Sequence, residues 1–284
     1  MNAKPKAEMS LPPVYVISCP ELGDRLQACA AHLKDRGIAA SYWRSVHGKT
    51  SGVATTHEFE PGKIISPGHV GLHLGHLSLW QHLAFKLWDA HDEAIIFEDD
   101  VVLPEDFEVQ VDRVRAELET AMPDWDFVLL GTADSVPGVW DKITERVGDP
   151  TGRLCRMIWP WGTHAILLRR KALPVLLDRM QEIRRNIDQQ LYKQVLDPGL
   201  LNWCACVPSI AHQRTHDYQG TGKTEWSTST IDGPAPVTED DGKGNVPERV
   251  LLKSLSLVDP YPCIFRGEPL EDDGVSVQGF ALPV

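Results

Sequence analysis

The boundary between apolar and polar positions is sharpest at residues 94–102, where an apolar stretch ends in three adjacent acids. Residues 94–97 are Ala, Ile, Ile and Phe, a composition typical of a buried strand in an α/β sheet. Glu98, Asp99 and Asp100 follow directly. Because open α/β sheets bind ligands beyond the carboxyl ends of their strands, the three acids mark a candidate site.

Apolar residues recur at strand and helix intervals on both sides of this stretch. Residues 14–18 and 41–46 predict two strands around a helix that ends at Gly37, a unit typical of a parallel sheet covered by helices. The same reasoning predicts helices over 66–88, 104–121, 171–183 and 186–195, and strands over 124–131 and 202–210. Residues 153–159 and 164–168 are predicted to form a hairpin. The fold class is therefore α/β.

Composition limits the functional classes. The chain has 284 residues and a net charge of −12, which disfavours a broad basic surface for nucleic acid or anionic membrane. The N-terminus is polar and no window approaches the ~20 apolar residues of a membrane span, so we expect a cytoplasmic protein without a transmembrane segment. The cysteines lack paired spacing, and Cys204 and Cys206 are predicted to be buried as small apolar residues.

Three regions are expected along the chain. Residues 1–12 form a flexible N-terminus, and residues 13–218 form the folded catalytic domain. Residues 219–284 form a mobile loop and an irregular tail, because 219–249 are rich in Gly, Ser, Thr, Pro and acids.

The acid triplet requires positive charge nearby. Two carboxylates ~4 Å apart repel by ~4 kcal/mol at an effective dielectric constant near 20. Mg²⁺ or Mn²⁺ suits carboxylate oxygens and commonly bridges to substrate phosphates. Strand alternation predicts that Glu98 and Asp100 point to one side and Asp99 to the other. The alternative is a solvated acidic turn.

Other polar residues have two interpretations each. Arg25 begins the first helix and either meets a phosphate or nucleobase or is an exposed helix arginine. His69, His73 and His76 share a helix face, but the segment lacks the Glu of a His-Glu-x-x-His zinc site, which favours packed histidines. His76 lies within the apolar pattern and is expected to be structural or to line the site.

Several blocks of this sequence resemble glycosyltransferase family 25, which includes bacterial lipooligosaccharide sugar transferases and collagen galactosyltransferases. The resemblance covers roughly residues 12–218. Its most specific parts are the Pro67–Gly71 segment leading to Gly75-His76 and the acid triplet. The other blocks are 14–18 with Arg25, His47-Gly48, 95–101, 126–131, 162–165 and 187–191.

The resemblance implies a glycosyltransferase of the type A fold, with a mixed, mainly parallel sheet flanked by helices. An Asp-x-Asp-like element would hold Mn²⁺ or Mg²⁺ against the diphosphate of a UDP-sugar. Asp100 is the first choice of direct metal ligand. His216, preferred over His212, would complete the metal site.

The resemblance also suggests roles for the remaining residues. Arg25, His76, Glu98 and Asp99 are the candidate donor-binding residues, with Glu98 or Asp99 on the ribose or on a metal-bound water. Asp188 is the candidate base for inverting transfer. Helix capping is the alternative for Asp188, because it lies near a predicted helix N-terminus.

The resemblance thus implies a metal-dependent hexosyltransferase that uses a nucleotide sugar and a glycan acceptor of the cell surface. Three alternatives stay open: the same chemistry on a protein or modified-DNA acceptor, a non-catalytic sugar-nucleotide-binding module, and a metal-dependent phosphohydrolase.

Overall fold

The computed structural model describes residues 11–19, 23–46, 67–85, 92–132 and 142–214. The strands in these ranges are β1 (Val14–Ser18), β2 (Ser41–Arg44), β3 (Glu93–Glu98), β4 (Val101–Val102), β5 (Phe127–Leu129), β6 (Ile143–Arg146), β7 (Leu154–Met157), β8 (Ala165–Arg169), β9 (Trp203–Cys206) and β10 (His212–Gln213). The helices are α1 (Gly23–Asp35), α2 (Pro67–Phe85), α3 (Phe107–Ala121), α4 (Leu173–Arg179) and α5 (Ile187–Leu191). A π-helical turn at Tyr192–Leu196 continues α5.

Eight strands form one sheet in the order β2-β1-β3-β8-β5-β9-β7-β6. β1 pairs in parallel with β2 and β3, and β5 pairs in parallel with β9. β8 and β7 run antiparallel to their neighbours, so six of these eight strands share one direction. The predicted α/β fold with a mixed, mainly parallel sheet is confirmed.

Helices cover both faces of the sheet. Residues of α2, α4 and α5 pack on the face that carries Ile96, and residues of α1 and α3 pack on the face that carries Ile95 and Phe97. This alternation follows the two-residue period of strand side chains. Both layers are apolar and buried, so the central strands are held firmly in place. The polar residues that follow these strands therefore have fixed positions at one edge of the sheet.

Gly75 marks the contact between α2 and β1. A Cβ at this position would lie 2.9 Å from Ile17 Cγ2 and 2.6 Å from Ser45 Oγ, too close for either atom. The absence of a side chain therefore lets α2 approach the strand, which compensates for the low helix propensity of glycine.

The predicted hairpin of residues 153–168 is wrong. β7 lies beyond β9, whereas β8 lies between β3 and β5. The reason is that β8 is apolar on both faces and is buried through Leu168, which suits the centre of the sheet and not a local pair. Residues 158–164 instead connect β7 to β8, which enters the sheet beside β3.

Three further predictions concern the cysteines, membrane-spanning helices and residues 219–284. Cys204 and Cys206 are buried free thiols in β9, as predicted. Within the described ranges, no helix combines the length and apolar character needed to cross a bilayer. The predicted mobile segment at 219–284 lies outside the described residues.

Candidate functional site

Strand register brings the polar residues of the site together. β1 and β3 pair with Ile17 opposite Glu98, so Ser18 and Asp99 leave the sheet side by side. The Ser18 hydroxyl donates a hydrogen bond of 2.9 Å to Asp99 Oδ2. On the other side of β3, the Glu98 amide donates to the His164 carbonyl at 3.0 Å. The residue before His164 is thereby placed against the Glu98 side chain.

The acid triplet does not alternate as a continuous strand would. β3 ends at Glu98, and Asp99 and Asp100 form a turn before β4. Both turn carboxylates face Arg25, whose Nη2 lies 2.5 Å from Asp99 Oδ1 and 3.2 Å from Asp100 Oδ2. The prediction that Asp100 shares the side of Glu98 while Asp99 points away is therefore wrong, because the backbone leaves the extended conformation at Asp99.

Arg25 supplies part of the positive charge that the triplet requires. It lies in the first turn of α1, directly beyond the carboxyl end of β1, and is only 9% exposed. Burial acts to lower the pKa of Arg25, but the adjacent Asp99 and Asp100 raise it above its ordinary value. Arg25 is consequently a buried, permanently charged partner of both carboxylates, and not an exposed helix arginine.

Asp99 and Asp100 differ in how completely they are bonded. Ser18 and Arg25 engage both oxygens of Asp99. Asp100 Oδ1 is buried and has no hydrogen-bond partner among the described residues. Burial, reinforced by repulsion from Glu98, raises the pKa of Asp100 to about 7, and burial also raises the pKa of Asp99. Asp100 is therefore the member of the triplet with a buried oxygen that has no hydrogen-bond partner among the described residues.

Glu98 lies in a separate hydrogen-bond group. Its Oε1 accepts a bond of 2.7 Å from the Thr163 hydroxyl and lies 3.3 Å from His76 Nε2. Burial acts to raise the pKa of Glu98, but the bonds from His76 and Thr163 hold it below its ordinary value. His76 thus lies beside the site, and Glu98 is favoured in its charged form.

Asp188 lies in the first turn of α5, close to this group. Its Oδ1 accepts a bond of 2.7 Å from the Gln189 amide, and its Oδ2 accepts a bond of 3.4 Å from the Gly162 amide. Burial raises the pKa of Asp188 against these two bonds, and the charge of Glu98 adds to the rise. Asp188 therefore satisfies a helix amide, as the capping interpretation requires, and also faces the loop that reaches Glu98.

The remaining histidines have different positions. His73 is fully buried, and its Nε2 lies 2.7 Å from the Met180 carbonyl, which links α2 to the end of α4. Across the described ranges, no three or more His, Cys, Asp or Glu side chains are grouped to hold a metal ion. His216 lies outside those ranges. The described chain stops just before it, at Arg214, whose amide donates to the Asp100 carbonyl at 2.8 Å.

Thr163, like Ser18, is a site residue that the reasoning from individual residues did not single out. It is 2% exposed and reaches Glu98 only because β8 pairs antiparallel with β3. The sequence signal was the resemblance of residues 162–165 to a family block, since a threonine before a strand has no chemical signature of its own.

Comparisons with known proteins agree on one family. Residues 11–136 match the model described as "Glycosyltransferase family 25 (LPS biosynthesis protein)". The Rattus norvegicus protein named "Probable inactive glycosyltransferase 25 family member 3" is 24% identical over 265 residues, covering 84% of this chain and 44% of that protein. The Homo sapiens protein named "Inactive glycosyltransferase 25 family member 3" is 24% identical over 140 residues, covering 45% of this chain and 23% of that protein.

The chain therefore spans less than half the length of these curated relatives. Among solved structures, a crystal structure of a glycosyltransferase involved in the glycosylation of the major capsid of PBCV-1 matches with a TM-score of 0.40. That match has 13% identity and covers 68% of this chain and 81% of the other.

Proposed function

We propose that this chain, whose residues 11–136 match the model of glycosyltransferase family 25, transfers a sugar from a UDP-sugar to a hydroxyl group of a glycan. The proposal includes a type A fold, a divalent Mn²⁺ or Mg²⁺ ion at the acid triplet and inversion at the transferred sugar. The family description as an LPS biosynthesis protein supports a cell-surface glycan as acceptor.

The observation that carries the proposal is the unbalanced charge of the triplet. Glu98, Asp99 and Asp100 are all buried, and Arg25 contributes one positive charge against three carboxylates. A divalent cation would neutralise the remainder. Asp100 Oδ1 is a buried carboxylate oxygen without a hydrogen-bond partner among the described residues, and carboxylate oxygens suit Mg²⁺ and Mn²⁺. The spare oxygen of Asp100 therefore supports the proposed ion.

Asp100 and His216 are the residues proposed to hold the ion. The Arg214 amide lies against the Asp100 carbonyl, and His216 follows two residues later. When bound, the ion would offset negative charge that develops on the leaving diphosphate.

The other side chains would bind and orient the reactants. Glu98, at the end of β3, and Arg25, which contacts Asp99 and Asp100, would bind the donor ribose and diphosphate. Asp188 is the proposed base, accepting the proton of the acceptor hydroxyl as the new glycosidic bond forms. A carboxylate has about four acceptor positions, and the two amide bonds to Asp188 leave room for a hydroxyl. Its raised pKa makes it a stronger base than an exposed aspartate.

A second function, nucleotide-sugar binding without turnover, is favoured by a different observation. The curated relatives are named inactive or probable inactive, and in this chain both oxygens of Asp99 are already engaged by Arg25 and Ser18. Such a protein would retain affinity for UDP and would release neither UDP nor sugar from a donor.

The test is turnover of a panel of UDP-sugars with Mn²⁺, with Mg²⁺ and with EDTA, measured as release of UDP and free sugar. We expect metal-dependent release from one donor, lost in Asp100→Ala and retained in Asp178→Ala, a control at an exposed carboxylate on α4. UDP binding without any release would establish the non-catalytic alternative. No binding of any UDP compound at millimolar concentration with metal would contradict both.

A further inference from the structure

The loop of residues 159–163, called here the aromatic loop, is held in an unusual backbone conformation. Trp159 has φ of +52°, a region that bulky residues rarely adopt. Its ring stacks on Trp161 with centroids 6.2 Å apart and packs on Tyr192 at 4.8 Å. Such a conformation persists where the surrounding packing fixes it, and such positions cluster at functional sites.

The aromatic loop makes two contacts with α5 and the π-helical turn that continues it. The Gly162 amide donates to Asp188 Oδ2, and Trp159 packs on Tyr192. Asp188 and Tyr192 are four residues apart, so they lie on one face of the helical segment. The proposed base and the loop therefore form one packed unit.

The far end of the aromatic loop reaches the acid triplet. Thr163 donates to Glu98 Oε1, and His76 contacts the same oxygen. Glu98 Oε2 takes part in none of the hydrogen bonds found among the described residues. Thr163 and His76 thus fix one carboxylate oxygen and leave the other to meet a ligand.

We propose that Thr163 is a positioning residue, which orients Glu98 toward the donor, and that the aromatic loop fixes the separation between Glu98 and Asp188. The inference rests on the proposed glycosyl transfer, and it assigns to Thr163 and the loop the alignment of donor and acceptor. Gly162 and Thr163 are adjacent in the chain. Gly162 is hydrogen-bonded to Asp188 and Thr163 to Glu98, so the peptide backbone between them links the two carboxylates.

The test compares Thr163→Val, which keeps the shape and removes the hydroxyl, with Thr163→Ser, which keeps the hydroxyl. Thr151→Val is the control, because Thr151 is an exposed threonine that bonds only Asp149 among the described residues. For Thr163→Val we expect kcat/KM for the donor to fall about 10- to 100-fold, with kcat itself lowered. For Thr163→Ser and Thr151→Val we expect values within about 3-fold of wild type.

Wild-type kcat/KM in Thr163→Val, or an equal loss in Thr163→Ser and Thr163→Val, would overturn the inference. If Thr163→Val fails to fold by its melting curve, Thr163→Ala gives the same comparison against Thr163→Ser. If wild type turns over no nucleotide sugar, the proposed function fails separately. Crystal structures of the Val and Ser variants then decide the inference, which requires the Glu98 carboxylate to rotate in the Val variant and to stay in place in the Ser variant.

Discussion

Replacing Arg25 with methionine removes the positive charge that contacts both Asp99 and Asp100. Methionine is unbranched and flexible, so it fills the space of the arginine stem with little steric cost. The two carboxylates remain buried, with exposures of 8% and 6%, and cannot recover their hydration in place. Arg25→Met therefore removes one partner from a buried ion pair and does not merely break a surface salt bridge.

The expected cost follows from that distinction. Breaking a buried ion pair by removing one partner costs about 3–5 kcal/mol, whereas an exposed pair contributes about 0–1 kcal/mol. The cost should also depend on pH. The pKa of Asp99 and that of Asp100 are already raised by burial, and without Arg25 they rise further. At pH 5 a bound proton replaces much of the lost charge, so the destabilisation of Arg25→Met is smaller at pH 5 than at pH 8.

The assay is urea denaturation of wild type and Arg25→Met at pH 5 and pH 8. Arg179→Met is the matched control, because Arg179 pairs with Asp178 at an exposed position of α4 and should change the free energy of unfolding by less than about 0.5 kcal/mol. A loss below about 1 kcal/mol for Arg25→Met at pH 8 would refute the buried-pair interpretation. A larger loss in the free energy of unfolding at pH 5 than at pH 8 would refute the idea that protonation of Asp99 and Asp100 compensates for the missing charge.

Three further predictions use the same structure. In wild type the folded-state pKa of Asp100, about 7, lies above the unfolded value. Ionisation of Asp100 therefore lowers the free energy of unfolding as pH rises from about 4 to 7. Asp100→Asn should flatten this fall in a series of melting temperatures measured against pH, and parallel curves for the two proteins would contradict it. Asp188→Asn should keep the Kd for UDP within about 3-fold and lower turnover at least about 100-fold, and an unchanged rate would leave Asp188 with helix capping alone. Gly75→Ala should lower the free energy of unfolding by about 1–3 kcal/mol, measured by urea denaturation, because its Cβ would overlap Ile17 and Ser45; wild-type stability would show that α2 can move away.

The central strand and the helices were predictable because their signals are local. The apolar run before Glu98 forms β3, and the helical spacing of apolar residues after Pro67 forms α2. The end of β3 was not predictable in the same way. Val101 and Val102 continue the apolar pattern, yet they form β4 and pair with β10 from the other end of the domain. The turn at Asp99 thus separates β3 from a short strand whose partner lies more than 100 residues away along the chain.

The composition of the site was only partly predictable. Glu98, Asp99 and Asp100 are three adjacent acids after an apolar run, and Arg25 follows the first strand. The triplet and Arg25 could therefore be proposed from their positions in the sequence alone. The bond from Thr163 to Glu98 joins residues 65 positions apart and depends on the antiparallel insertion of β8. Sequence periodicity predicts strands but not their order, and for that reason the hairpin prediction failed.

The central claim is that the acid triplet at the end of β3 holds a divalent cation against the diphosphate of a UDP-sugar. Its most direct test is a crystal structure of the protein soaked with Mn²⁺ and UDP, with the ion located by its anomalous signal. The account predicts Mn²⁺ bonded to Asp100, with the UDP diphosphate on its open side. Mn²⁺ and UDP bound away from residues 98–100, or UDP bound beside Arg25 without any ion, would contradict it.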